Sequence, residues 1–212
     1  MSTDIFCNVL VHSAIAIGGP IKLYFDPFML QHERNDADIV FITHEHYDHF
    51  SPESIAKACK ADTYYVLPRS MQGNQKINEL SILDLSHLVF VEPKKSYEVK
   101  GIKFTTTPSY NLNAPYHQKA FKWVGYIVEA NNLKYYIAGD TDNLDELHNI
   151  DCDVALVPVG GTYTMNCISA AKLVNTIKPH YAMPTHYGAI GGTADSATDF
   201  VNNVDSSIEV IL

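Results

Sequence analysis

Basic clusters are missing from this sequence. No run of Lys and Arg exceeds the pair Lys94-Lys95, and the formal net charge is −9. Nucleic-acid binding needs Lys and Arg to neutralise phosphates, so nucleic acid is a disfavoured partner and a small-molecule substrate the expected one. A bound cation adds positive charge that this count omits. Cysteine is also scarce: Cys7, Cys59, Cys152 and Cys167 are scattered, with no Cys-x-x-Cys, and read as reduced, mostly buried thiols of a cytoplasmic protein. No apolar run is long enough to cross a bilayer. The most apolar segment, Ile5 to Gly19, lacks a basic stretch before it and carries His12, so it reads as two core strands, and no membrane partner is expected. Gly-x-Ser-x-Gly is absent, which removes the nucleophile elbow. His-Glu-x-x-His is absent too, because Asp48 stands four residues after His44. With no repeat and no low-complexity linker, residues 1–212 are expected to form one domain, with room for a homo-oligomer.

Potential metal ligands, by contrast, are concentrated. Thr43-His44-Glu45-His46-Tyr47-Asp48-His49 follows the apolar run Ala37 to Ile42, so four donors fall in six consecutive positions at a strand end. Imidazole and carboxylate are the donors that zinc, manganese and iron accept. Successive side chains of an extended segment alternate, which places His44 and His46 on one face with Asp48 continuing it. His49 then requires a turn after Asp48. Ser51-Pro52-Glu53 supplies one, with Ser51 as N-cap and Pro52 as first residue of a helix through about Cys59.

Two later segments offer more donors after short apolar strands: Tyr135 to Asp142, with Asp140 past the strand end, and Tyr181 to Gly188, with His186. The remaining pattern predicts strands at about 5–16, 20–25, 38–43, 63–67, 88–91, 97–99 and 102–107, with a helical stretch near 69–80. A hairpin of 122–129 and 134–137 turns at Asn131-Asn132. A helix-prone segment from Leu144 to Asn149 follows, then strand 153–157, helix 167–177 closed by Pro179, strand 180–184, helix 194–203 and strand 208–211.

In that order, His44-x-His46-x-Asp48-His49, Gly139-Asp140-Thr141-Asp142 and Thr185-His186-Tyr187-Gly188 resemble the metallo-β-lactamase superfamily. Asp26-Pro27-Phe28, Gly125-Tyr126-Ile127 and Val157 to Met165 resemble its branch of small metal-dependent hydrolases that includes the ascorbate-6-phosphate lactonases. The resemblance implies an α/β fold, a four-layer αββα sandwich with two mixed sheets, and a site for two divalent ions, with zinc the first choice. It implies His44 and His46 on one metal, Asp48, His49 and His186 on the other, and Asp140 bridging. The pattern usually supplies one more His shortly after a Thr-Pro. Here Thr107-Pro108 is followed by Ser109-Tyr110-Asn111, and His117 is the candidate to fill that role.

Such a site implies hydrolysis by a metal-bound hydroxide, with Asp48 and Asp140 as the catalytic carboxylates and no Ser or Cys nucleophile. The expected substrate is a small ester, lactone or phosphate-bearing metabolite. The alternatives are a phosphodiesterase of the same fold and a metal-binding or regulatory protein with little turnover. Asp26 stands as either an acceptor behind a ligating His or a turn residue. His12 is expected to be a hydrogen-bonded core His, or to approach the site if its strand borders it, and Asp142 a supporting acceptor or helix cap. Tyr110, Tyr163 and Tyr187 are candidate oxyanion donors. Gly160-Gly161 reads as a tight turn that could also offer N–H groups to an anion.

Overall fold

The computed structural model describes residues 5–80 and 85–212. The chain divides into two compact units, Met1–Phe90 and Val91–Leu212. Each carries one mixed sheet with flanking helix.

The first unit holds strands β1 (Cys7–Val11), β2 (Ala14–Ile17), β3 (Leu23–Phe25), β4 (Ala37–Phe41), β5 (Cys59–Pro68) and all but the last residue of β6 (Leu88–Val91), in that spatial order, with helix α1 (Pro52–Ala58). The apolar run from Ile5 is split by the turn His12-Ser13 into the two expected core strands. β3, β4 and β5 run parallel, with Phe25 opposite Phe41 and Phe41 opposite Val66. β4 is buried at every position, as a strand covered on both faces must be. Its one charge, Asp38, accepts from Lys22 N–H at 2.8 Å and pairs with Lys60 at 2.7 Å. Helix α1 begins as expected, with Ser51 Oγ accepting from Ser54 N–H, and buries Ile55 and Ala58 in a core with Val40, Ile42 and Tyr65. It stops at Ala58, and β5 starts directly at Cys59, four residues earlier than the pattern predicts. The predicted helical stretch 69–80 is not α-helix. It forms two 3₁₀ turns, Arg69–Met71 and Gln75–Glu79, because Gly73 between them takes a φ of +85° and Asn74 caps the second through its side chain.

The second unit holds β7 (Ser96–Val99), β8 (Ile102–Pro108), β9 (Val124–Ala130), β10 (Leu133–Ile137), β11 (Val154–Pro158), α2 (Cys167–Ile177), β12 (Tyr181–Thr185), α3 (Ala194–Asn203) and β13 (Glu209–Val210). The sheet order is β13-β12-β11-β10-β9-β8-β7. Asn131 and Asn132 both have positive φ, which gives the β9–β10 hairpin its twist-matched two-residue turn. Helix α2 occupies the predicted 167–177. Asn166 caps it by accepting from Ser169 N–H at 2.8 Å, and Lys178 ends it in the left-handed conformation before Pro179. Its Ala171, Leu173 and Val174 pack with Phe200 of α3 against Ala155, Val157 and Ala182. Asp145–Leu147 is a single 3₁₀ turn within the helix-prone 144–149.

Strands β10, β11 and β12 run parallel with Ile137 opposite Leu156 and Leu156 opposite Met183, so their carboxyl ends share one edge. Open α/β sheets bind ligands at such edges. Among the described residues, no helix is long and apolar enough to cross a membrane. The cysteines are free thiols, and burial pushes Cys59 up to about 11 and Cys7 and Cys152 up to about 12. That removes Cys7, Cys59 and Cys152 as nucleophiles at neutral pH.

Candidate metal centre

In the first unit the donors follow the carboxyl ends of β3 and β4. The chain stays extended only to His44. It then turns at His46, whose carbonyl accepts from His49 N–H at 3.0 Å and Phe50 N–H at 2.7 Å. The expectation that Asp48 continues the extended face is therefore corrected: the turn begins two residues before it. The reason is backbone bonding, since a turn satisfies two N–H groups that an unpaired loop would bury without acceptors. Asp48 and His49 are carried inward and Tyr47 is left exposed.

Asp26, just past β3 with φ +44°, is the interior support of this loop. It accepts from Thr43 N–H at 2.8 Å, Thr43 Oγ1 at 2.6 Å and His49 Nδ1 at 2.7 Å. Burial pushes its carboxyl above the ordinary carboxylate range, opposed by His49 and then by the Thr43 hydrogen bonds. These contacts set protons. A carboxylate accepts only, so His49 carries hydrogen on Nδ1 and its Nε2 is the donor atom when the ring is neutral. The Thr43 hydroxyl spends its hydrogen on Asp26, so its oxygen accepts from His44 Nδ1, 3.0 Å away. His44 Nε2 is then the donor atom, and it lies 3.1 Å from His46 Nδ1. His12, in the β1–β2 turn with φ +56°, is more than a core residue: its Nε2 is 3.1 Å from Asp48 Oδ2. One atom each of His12, Asp48 and His49 lie within 4.8 Å of one another.

In the second unit the structure brings together His117, Asp140 and His186. Asp140 follows β10 and His186 follows β12, with φ +58°. His117 Nε2 and His186 Nε2 lie 3.3 and 3.1 Å from the same atom, Asp140 Oδ2. All three side chains are buried. Straps from the segment after β8 hold this arrangement: Ser109 Oγ donates to the Asp140 carbonyl at 2.8 Å, and Asp142 N–H donates to the Tyr110 carbonyl at 3.0 Å. Asp142 is a supporting acceptor, bonded by Leu112 N–H at 2.7 Å and Asn111 Nδ2 at 3.3 Å. A Cβ on Gly160 would stand 2.4 Å from the His186 carbonyl oxygen, so this glycine is needed for close approach. The Gly161 N–H donates to the Met165 carbonyl at 3.0 Å, which makes it a turn group rather than an anion contact.

Tyr110 does not serve as an oxyanion donor. Its hydroxyl donates to Glu146 Oε1 at 2.6 Å, and Lys119 and Lys94 pair with the same carboxylate, which lowers Glu146 to about 2. Tyr163 is partly exposed and meets the Tyr116 ring edge-on at 4.9 Å. His87 stacks on Tyr64, and His148 bonds Asn143. Asn111 was not anticipated from the sequence; His12 is buried and hydrogen-bonded as expected, and its partner proves to be Asp48. A histidine in a turn between two apolar strands was the available signal for His12; Asn111 gave none.

Buried imidazoles and carboxylates, with at least two imidazoles poised to present a lone pair, fit a divalent cation of borderline softness. Comparison with known proteins agrees. Residues 10–186 match the family model described as beta-lactamase superfamily domain. A UPF0173 metal-dependent hydrolase of Thermococcus onnurineus is 29% identical, over 96% of this chain and 93% of that protein. A second, from Saccharolobus solfataricus, is 33% identical over 84% of this chain and 78% of its own length. A crystal structure from Parabacteroides distasonis, provisionally named a metal-dependent hydrolase, superposes with TM-score 0.78 at 26% identity, covering 97% of this chain and 90% of that one. A metallo hydrolase of Ignicoccus hospitalis gives TM-score 0.74 at 18% identity, covering 97% and 93%, and shares the fold.

Proposed function

The chain belongs to the beta-lactamase superfamily domain family, and on that footing we propose that this metal-dependent hydrolase cleaves a small ester, lactone or phosphate-bearing metabolite. The observation that carries the reading is the convergence of His117 and His186 on one oxygen of the buried Asp140. A carboxylate oxygen between two imidazole nitrogens is a cation-binding arrangement. On this reading His44, His46, Asp48 and His49 would be the metal donors of the first unit, and His117, Asp140 and His186 those of the second. Imidazole-plus-carboxylate ligation makes zinc the first choice, and manganese or iron suit it too.

When bound, such ions polarise a substrate oxygen and bring the pKa of water to about 7. The protein's part is orientation. Asp26 holds His49 directly and His44 through Thr43. His12 Nε2 donates to Asp48 Oδ2, so Asp48 presents a set direction to the attacking water and takes part in moving its proton.

Metal content measured on protein purified without chelators should give two equivalents. No bound metal, together with no thermal stabilisation by zinc or manganese, would sink every catalytic version. A panel of lactones, thioesters and bis-p-nitrophenyl phosphate then separates substrates. Turnover of the phosphodiester alone would move the assignment to a phosphodiesterase, and two metals with no turnover at all would favour a binding protein. His46→Ala and Asp140→Ala are the controls, and activity surviving in both would refute the ligand set.

A further inference from the structure

His117 folds back on Asn111. The Asn111 N–H donates to the His117 carbonyl at 2.7 Å, and His117 Nδ1 lies 2.9 Å from Asn111 Oδ1. The far end of the same amide faces Asp142, with Nδ2 3.3 Å from Oδ1, while the second Asp142 oxygen accepts from Leu112 N–H at 2.7 Å. An ionised carboxylate accepts and never donates, so the NH₂ end of the amide must face Asp142. That orientation leaves Oδ1 for His117. An amide oxygen also only accepts, so His117 must carry its hydrogen on Nδ1. The ring's other nitrogen, Nε2, is then the one with the lone pair, and it is the atom that faces Asp140.

We propose that Asp142 and Asn111 are positioning residues that hold His117 in the Nδ1–H tautomer and so present Nε2 to the metal. The proposal rests on the reading of His117 as a ligand. Asn111 is buried, as is His117, so bulk water does not offer the ring a competing acceptor on this side. The first unit reaches the same end with a carboxylate, since Asp26 holds the hydrogen of His49 on Nδ1. In the second unit a neutral amide does this, and its direction is set one step further back, by Asp142.

The test uses zinc-loaded full-length protein with ¹⁵N-labelled histidine. A protected Nδ1–H signal, assigned by its loss in His117→Gln, is expected in the wild type and lost in Asn111→Leu. Zinc affinity, read by chelator competition, should fall about 10–100-fold in Asn111→Leu, the usual effect of removing the partner of a ligating His. The exchanged pair Asn111→Asp with Asp142→Asn restores the pattern: a carboxylate faces His117 and an amide donates to it, while the amide oxygen accepts from Leu112. That double variant should recover both the signal and affinity to within a few-fold of wild type. Zinc affinity in Asn111→Leu within twofold of wild type, or an exchanged pair as weak as Asn111→Leu, would overturn the proposal. Should Asn111→Leu fail to fold, the exchanged pair alone decides. Unchanged zinc content in His117→Gln would overturn the ligand reading itself; content lowered there but unchanged in Asn111→Leu would overturn only the positioning role.

Discussion

In the first unit His44, His46, Asp48 and His49 come from one loop after β4, and one interior carboxylate, Asp26, braces that loop through three hydrogen bonds. In the second unit His117, Asp140 and His186 come from three loops far apart in the chain, held by several lighter bonds from Ser109, Asn111 and Asp142. Asp140 and His186 follow parallel strands, as the first cluster does, whereas His117 comes from the loop between the antiparallel β8 and β9; both clusters use a residue with positive φ directly after a strand, Asp26 and His186. A donor set from one loop can be stiffened at one point. A donor set from separate loops has to be tied strand by strand, so its supports are individually smaller and more numerous.

Asp26→Ala should produce the largest loss. It strips acceptors from a buried N–H, a hydroxyl and an imidazole, and should cost about 3 kcal/mol or more in urea unfolding. A loss below about 1 kcal/mol would end the claim that one residue braces the first cluster. Zinc at a hundred times its dissociation constant should stabilise the wild type by about 2.7 kcal/mol in a thermal shift experiment. That response should weaken alike in His46→Ala and Asp140→Ala if both clusters serve one centre; a response lost in only one of them would separate the clusters. Gly160→Ala should cost about 2 kcal/mol, because its Cβ meets the His186 carbonyl and the tight packing must give. Gly188→Ala, where a Cβ meets nothing within 4 Å, should cost only the backbone strain of its φ of +78°, about 1 kcal/mol, with zinc affinity retained. Equal losses of zinc affinity in the two variants would contradict the role given to Gly160.

The smallest effect belongs to Glu146→Gln, which breaks the ion pairs of a partly exposed carboxylate with Lys94 and Lys119. Its carboxyl sits at about 2, below the ordinary 4.5, so the stabilisation is full above pH 4.5 and lost as pH falls toward 2. The loss at neutral pH should be about 1 kcal/mol or less, as for exposed ion pairs, and should shrink between pH 4.5 and 2. A difference from wild type that grows on acidification would reverse the sign of this account.

Much of the fold was legible because local chemistry and tertiary packing agree. Helices 167–177 and 194–203 have capping residues, Asn166 and Thr193, ahead of their apolar faces, and the Asn131-Asn132 hairpin needs only residues that tolerate positive φ. The predicted helix at 69–80 failed where Gly73 interrupted a pattern that periodicity alone could not resolve. The extended reading through Asp48 failed because burial of the loop backbone favoured a turn at His46. Among the candidate ligands, the structure gathers His117 with Asp140 and His186; His117 was singled out only through the family resemblance, because it ends no strand motif of its own.

Which side chains can bind a divalent ion is written in the residues themselves, because donor softness belongs to imidazole and carboxylate wherever they stand. The fold class followed from the family resemblance that the order of three motifs carries, with the strand pattern in support. Which imidazole nitrogen faces an acceptor is decided only in the folded chain. That property depends on acceptors distant in sequence: Asp26 for His49, 23 residues away, and for His117 an Asn111 amide oriented by Asp142, 31 residues from it. Hydrogen bonds of that kind have no sequence pattern, because nothing but the packing of loops brings their two ends within bonding distance.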